Sequence, residues 1–325
     1  MVYDNFSFIF ENYDSCLVDV YGVLYDGRDF YRGVLELLKK IKNNGKKVII
    51  LSNITLSGEV CKEKYSKKGL LSEIHYDEFI SSGEAFKNML HDLLPSAESY
   101  AQIFNRNNVV LANCNLREST SITSVDFVYC GSISGNGGFY TIDNLKTKSG
   151  IPIAIEELTS IPCDTIQGFD EIANVLSECL KHNKPLVVTN PDIFTLEFVG
   201  NTSRPILCQG AIGEFYEQMG GRVLYFGKPY PLIYEFAKKF LADDEKTIMV
   251  GDTLWTDILG GNIAKFDTAL ALTGVTGEFI KSIDNKLTIS EKIVKLKGDI
   301  AKKMTHKSLV KYSQDPTYII ESFAA

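Results

Sequence analysis

Short apolar runs that stop at glycine or polar turns alternate along this chain with longer stretches whose apolar positions recur every three or four residues. That is the pattern of βα units and a parallel sheet. SCLVDV at 15–20 predicts a buried strand, and residues 33–43 follow as a helix with Val34, Leu37, Leu38 and Ile41 on one face and Gly45 as its stop. KVIIL at 47–51 predicts the next strand, 58–68 a helix, EFISS at 78–82 a strand and SGEAFKNMLHDLL another helix. Three such units in a row predict an α/β fold with a doubly wound parallel sheet.

Past Pro95 the pattern changes. Strand-like runs at 109–112 and 126–130 lead into GSISGNGGFYTIDN, a glycine-rich polar stretch predicted as a loop or exposed hairpin. A helix at 169–183, a strand at 185–189 and a helix at 213–219 then make a separate α/β set. The βα pattern resumes with RVLYFGKP, a helix at 231–241, KTIMVGD and FDTALALTG. The predicted organisation is a core of residues 1–97 and 222–325 interrupted by an inserted α/β domain at 98–221. Lys-rich residues 277–313 read as helices with a solvated face, and PTYIIESF as a final strand or ordered tail.

With 325 residues, 45% of them hydrophobic, the chain can bury the cores of two domains. A formal net charge of -7 opposes attraction to nucleic-acid backbones or anionic lipid, so neither is an expected partner. The first residues carry acids where a secretory signal would carry Lys or Arg, and no apolar run approaches a bilayer's thickness; the expected location is the cytoplasm. Seven scattered cysteines without a C-x-x-C pair read as reduced thiols, with Cys16 and Cys130 as small hydrophobes, and not as a zinc site. The four histidines lie far apart, which gives a His-based triad no support.

Four segments fall at the predicted carboxyl ends of strands, where doubly wound sheets place ligands: DVYGVLYDG from Asp19, LSN around Ser52, GKP around Lys228 and GDTLWTD from Gly251. Each alone would pass for a turn. Together they form one site, in which the carboxylates of Asp19 and Asp252 repel and call for a cation; few protein oxygens with several waters suit Mg²⁺. Ser52 can donate a hydrogen bond to a phosphoryl oxygen, and Lys228 can neutralise charge that develops there. A carboxylate nucleophile splits hydrolysis into formation and breakdown of an aspartyl-phosphate.

These segments, with SSGEAF, VVTNPD, CQGAIGEFYEQMGG, GKPYPLIYEFA, GDTLWTDILGGNIAKFDTALALTGVT and PTYIIESF, resemble the haloacid dehalogenase superfamily of phosphohydrolases, specifically the class IIA branch with a large α/β cap. The resemblance covers nearly the whole chain. It implies a Rossmann-like core under an inserted cap and a small-molecule phosphate ester as substrate: a sugar phosphate, a nucleotide or an aryl phosphate. It further implies Asp19 as nucleophile, Ser52 as phosphate-binding hydroxyl and Lys228 as charge stabiliser, with Mg²⁺ held by Asp19, the Tyr21 carbonyl and Asp252 and supported through water by Asp257. Asn53, Asn190 and Asp192 would shape the substrate site, and residues 131–140 would lie over the leaving group. A homo-oligomer is compatible with the sequence.

One position departs from that family. Where its phosphatases usually carry a second Asp, two residues after the nucleophile, this chain has Tyr21. A phenol with an ordinary pKa near 10 is a poor general base at neutral pH, and loss of such a catalyst costs about 10² to 10⁴ in rate. Asp26 or a cap residue could supply the proton instead. The alternatives are a phosphotransferase, an enzyme releasing a carbon leaving group, or a catalytically impaired phosphate-binding protein; retention of Asp19, Ser52, Lys228 and Asp252 favours an enzyme.

Overall fold

In the computed structural model, which describes residues 2–104, 110–112, 114–133 and 140–324, the apolar runs near the two ends of the chain form one sheet. Numbered along the chain, its strands are β1 (Val2–Asn5), β2 (Ser15–Val18), β3 (Lys47–Ser52), β4 (Glu78–Ser81), β12 (Thr247–Gly251), β13 (Asp267–Ala271) and β14 (Tyr318–Ser322). All pairs are parallel, in the order β1-β14-β13-β12-β2-β3-β4. The central strands β2 and β12 are buried along their whole length, as expected for a parallel sheet covered on both faces. Helix α1 (Val34–Asn43) presents the four apolar residues of its predicted stripe, all buried, and packs on β3.

The second sheet, also parallel, runs β11-β8-β7-β5-β6 and contains β5 (Ser99–Ile103), β6 (Arg117–Ser119), β7 (Phe127–Cys130), β8 (Leu186–Val188) and β11 (Val223–Tyr225). An antiparallel hairpin of β9 (Phe194–Val199) and β10 (Thr202–Leu207) accompanies it. The chain divides into two compact units, Met1–Ser52 with Gly58–Ser81 and Lys228–Ala325, and Asn53–Ser57 with Ser82–Gly227.

That division differs from the borders expected at 97/98 and 221/222. Helix α3 (Ser82–Leu93) goes with the second unit, where its Phe86 stacks on Tyr129 and meets Phe226 edge-on. RVLYFGKP does not resume the first sheet, because β11 pairs in parallel with β8 through Val223↔Leu186 and Tyr225↔Val188. The run expected as a strand at 109–112 is a turn at 110–112, with Val109 outside the described residues. In the glycine-rich loop, residues 134–139 also lie outside them. Helix α5 (Gln209–Gln218) starts earlier than the expected 213.

The Lys-rich stretch forms α8 (Val275–Ser282) and α9 (Ile289–Leu296), and most of its lysines are exposed. Lys297 is half-buried, and Lys292 is buried with Nζ 3.3 Å from both the Ile280 carbonyl and Asn285 Oδ1. PTYIIESF is a strand, β14, paired on both sides by β13 and β1. No described helix is long and apolar enough to cross a membrane.

Candidate active site

The first sheet grows outward from its middle: β2, β3 and β4 follow one another to one side, while β12, β13 and β14 run to the other. The change of direction lies between β2 and β12, the position where a doubly wound sheet leaves a crevice at its carboxyl edge. Asp19 begins where β2 ends, and its N–H donates to the Val250 carbonyl at 2.9 Å, extending the β2–β12 pairing. Asp252 follows β12 directly, and Ser52 closes β3 on the other side of β2.

Three carboxylates converge there, because Asp257, on a π-helical turn at Leu254–Ile258, joins Asp19 and Asp252. One oxygen from each lies within 4.8 Å of the others, and all three residues are buried. Lys228, 2% exposed, places Nζ 2.6 Å from Asp19 Oδ1 and 2.8 Å from Asp257 Oδ1. Asp257 Oδ2 accepts from the Thr253 N–H at 3.1 Å, which holds the turn against the strand end. Asp252 accepts from the Val275 N–H at 2.5 Å through Oδ2 and from Thr253 Oγ1 at 3.1 Å through Oδ1.

The electrostatics follow from this crowding. Burial, with repulsion from Asp257, pushes the Asp19 carboxyl up to about 6, although Lys228 pulls it the other way. Burial first, and then Asp257 and Asp19, hold Asp252 well above the usual carboxylate range. Burial disfavours the Lys228 ammonium, but its two acid partners outweigh it and raise the group above an ordinary lysine. Three carboxylates against one ammonium leave two negative charges unbalanced when all are ionised. A small divalent cation fits that donor set in charge and in oxygen chemistry. The backbone is also shaped around Asp252, since a Cβ on Gly22 or Gly274 would stand 2.4 or 1.9 Å from its Oδ2.

Tyr21 lies between Asp19 and Gly22 in a tight turn closed by Gly22 N–H to the Tyr25 carbonyl at 2.9 Å. Its ring meets Tyr25 edge-on, and Lys64 Nζ on helix α2 (Gly58–Ser66) donates to Tyr21 Oη at 3.1 Å. Asp26 is spent on local structure: its Oδ1 accepts from the Arg28 and Asp29 N–H groups at 2.7 and 2.8 Å, capping an exposed turn.

Of the expected site residues, the structure therefore gathers Asp19, Asp252 and Asp257 within 4.8 Å of one another with Lys228 paired to Asp19 and Asp257, while Tyr21 follows β2 and Ser52 closes β3. Asn53, Asn190 and Asp192 belong to the second unit and form a cluster of their own. There Asn53 Nδ2 donates to Asp192 Oδ1 at 3.2 Å, and the Asp192 N–H donates to Asn190 Oδ1 at 3.0 Å. Sequence reasoning missed Thr253, the Val275 N–H and Lys64. Thr253 stands inside the GDTLWTD segment and could have been found; Val275 and Lys64 have no local signal.

Comparison with known proteins gives a consistent picture. A family model described as haloacid dehalogenase-like hydrolase matches residues 16–119, and a second, HAD-hydrolase-like, matches 225–287. Phosphoglycolate phosphatase 2 of Arabidopsis thaliana is 28% identical over 291 residues, covering 84% of this chain and 87% of that protein. Among solved structures, a possible sugar phosphatase of the HAD superfamily from Cytophaga hutchinsonii superposes with a TM-score of 0.70 at 23% identity, covering 100% of this chain and 99% of the other. A glycerol phosphate phosphatase from Mycobacterium tuberculosis in complex with magnesium gives 0.61 at 17% identity, covering 97% and 76%.

Proposed function

Because this chain belongs to the haloacid dehalogenase superfamily of hydrolases, in its class IIA branch, we propose that it is a Mg²⁺-dependent phosphohydrolase of small-molecule phosphate esters that works through an aspartyl-phosphate on Asp19. The observation that carries this reading is the buried cluster of Asp19, Asp252, Asp257 and Lys228 between β2 and β12. A site built only to hold phosphate would favour donors and cations. Here three acids converge and one lysine is paired to two of them, an arrangement suited to a cation and to a carboxylate nucleophile.

In this mechanism Lys228 holds Asp19 by Oδ1, which orients the carboxylate so that its other oxygen attacks phosphorus. The same ammonium offsets charge on the phosphoryl oxygens as the ester bond breaks. Ser52 Oγ donates to one of those oxygens. Asp257 and Thr253 keep Lys228 and Asp252 in register with the strand ends. Asp19, Asp252 and the Tyr21 carbonyl would hold Mg²⁺, with Asp257 behind them, and the ion supplies charge neutralisation for phosphate and nucleophile. Asn53, Asn190 and Asp192 are proposed as substrate-reading residues, and the second unit as the cap. The proposed location is the cytoplasm, a reading consistent with seven unbridged thiols.

A screen of sugar, nucleotide and aryl phosphates, each with Mg²⁺ and with a chelator, tests this function. Turnover of at least one ester in Mg²⁺ only is expected. Phosphate or ester binding without turnover across the whole screen would contradict it.

A further inference from the structure

Two of the groups proposed to hold the cation lie on different elements, the Tyr21 carbonyl in the turn after β2 and Asp252 at the end of β12. A third segment, residues 272–275 between β13 and α8, reaches both. The Thr273 hydroxyl donates to the Gly22 carbonyl, and the Tyr31 hydroxyl donates to the Thr273 carbonyl at 3.2 Å. Two residues on from Thr273, the Val275 N–H donates to Asp252 Oδ2. Between these bonds the backbones of Gly22 and Gly274 meet directly. A Cβ on Gly22 would stand 2.9 Å from Gly274 Cα, and one on Gly274 would stand 2.7 Å from Gly22 Cα. Gly22 holds a φ of +79°, which glycine adopts without strain, and its N–H is already used on the Tyr25 carbonyl. Its carbonyl is therefore the point at which this turn is tied to the Asp252 side of the site.

We propose that Thr273 is a positioning residue that sets the spacing between the Tyr21 carbonyl and Asp252, and that through this spacing the site discriminates between small and large divalent cations. The inference rests on the reading above in which Asp19, Asp252 and the Tyr21 carbonyl hold the cation. Tyr21 and Gly22 share a peptide unit, so a hydrogen bond to the Gly22 carbonyl limits how far the Tyr21 carbonyl can move. The Val275 N–H limits Asp252 from the same short segment. Strands β2 and β12 alone fix only where the chain leaves the sheet. Mg²⁺ takes oxygen ligands at about 2.0–2.1 Å in near-ideal octahedral geometry, whereas Ca²⁺ takes them at about 2.3–2.6 Å and tolerates irregular shells. Oxygens held at a fixed spacing penalise the larger ion, and oxygens free to draw apart accept it. Loosening the tie at Thr273 thus weakens Mg²⁺ binding more than Ca²⁺ binding.

The test measures binding and not turnover. The metal-free full chain is titrated with Mg²⁺ and with Ca²⁺ by isothermal titration calorimetry, for wild type, Thr273→Val, Thr273→Ser and Tyr31→Phe. Thr273→Val keeps the branched shape and removes the hydroxyl. It should lower the ratio of the Ca²⁺ Kd to the Mg²⁺ Kd by about fivefold, the effect of one hydrogen bond on an equilibrium constant, chiefly through weaker Mg²⁺ binding. Thr273→Ser returns the hydroxyl and should return the ratio to that of wild type. A purely structural role would weaken both cations alike and leave the ratio unmoved. Tyr31→Phe removes only the bond to the Thr273 carbonyl and should shift the ratio in the same direction, so it decides the question where Thr273→Val does not fold. A ratio unchanged in Thr273→Val, or in Tyr31→Phe where the valine variant does not fold, overturns the role of Thr273 alone. So does a Thr273→Ser ratio equal to that of Thr273→Val. A wild type that binds neither cation overturns the metal reading and this inference with it.

Discussion

Lys228 Nζ lies 2.6 Å from Asp19 Oδ1, a buried ion pair that ties the loop entering α6 (Pro231–Lys238) to the end of the central strand. The pair stands 209 residues apart in sequence, and it is the link through which a remote lysine sets the orientation of the proposed nucleophile.

Removing the ammonium should therefore act on stability and on chemistry together. Lys228→Met leaves Asp19 and Asp257 buried without a counter-charge, a change that costs about 3–5 kcal/mol when one partner of a buried pair is lost. The expected outcome is a lower Tm that Mg²⁺ raises more than it raises wild type, with turnover lost. Thermal denaturation with and without Mg²⁺ checks it; a Tm equal to wild type in chelator would show that the pair contributes nothing.

Gly274 tests the shape of the site without touching a charge. A methyl there would stand 1.9 Å from Asp252 Oδ2, so Gly274→Ala must displace that carboxylate. Mg²⁺-dependent thermal stabilisation should fall, and turnover should drop by about 10²-fold for a displacement of about an ångström. Gly298 has open space around its Cα, and Gly298→Ala should leave both properties intact. Equal behaviour of the two variants would contradict the close packing on Asp252.

The Asp19 carboxyl, raised to about 6 from an ordinary 3.8, fixes the sign of a pH effect. In the metal-free protein the folded state binds the extra proton, so this group's favourable contribution is present below about pH 4 and is lost as pH rises through about 6. A cation bound to the ionised carboxylates reverses the penalty. The Tm increment from Mg²⁺ should consequently be small at about pH 5 and large at about pH 7.5. Differential scanning calorimetry at both pH values checks this, and a constant increment would contradict it.

Asn53 is expected to hold in place the cluster of the second unit that is proposed to read substrate. Asn53→Asp exchanges the donor to Asp192 Oδ1 for a second carboxylate, at a residue only 5% exposed. A destabilisation of about 1–3 kcal/mol is expected, the cost of an unsatisfied buried group. If the cluster reads substrate, KM should rise more than kcat falls. Chemical denaturation and steady-state kinetics measure the two effects.

Much of this was legible in the sequence, for physical reasons that also explain what was not. The runs at Leu17, Ile49 and Met249 are apolar on both faces because parallel strands are covered on both faces, and that makes them plain to read. Asp19, Ser52 and Asp252 were found because each closes such a run. The weak points are contacts made across long stretches of chain. RVLYFGKP has the look of a returning core strand, yet Val223–Tyr225 pairs with Leu186–Val188, and alternation cannot reveal which sheet a strand joins. The hairpin at Phe194–Val199 and Thr202–Leu207 is mostly half-buried or exposed, so its periodicity is faint. β1 is only four residues long and half-buried. Lys64 sits in a helix with a polar pattern, and only the folded arrangement brings its ammonium to Tyr21.

The central claim is a covalent phosphoryl group on Asp19, and rapid acid quench of the Mg²⁺-loaded protein with 4-nitrophenyl phosphate, followed by peptide mass analysis, tests it most directly. The expected result is one phosphoryl group on the peptide containing Asp19, removed by alkaline hydroxylamine and absent from a folded Asp19→Asn variant that no longer turns over substrate. A folded Asp19→Asn protein that hydrolyses 4-nitrophenyl phosphate at the wild-type rate would contradict it.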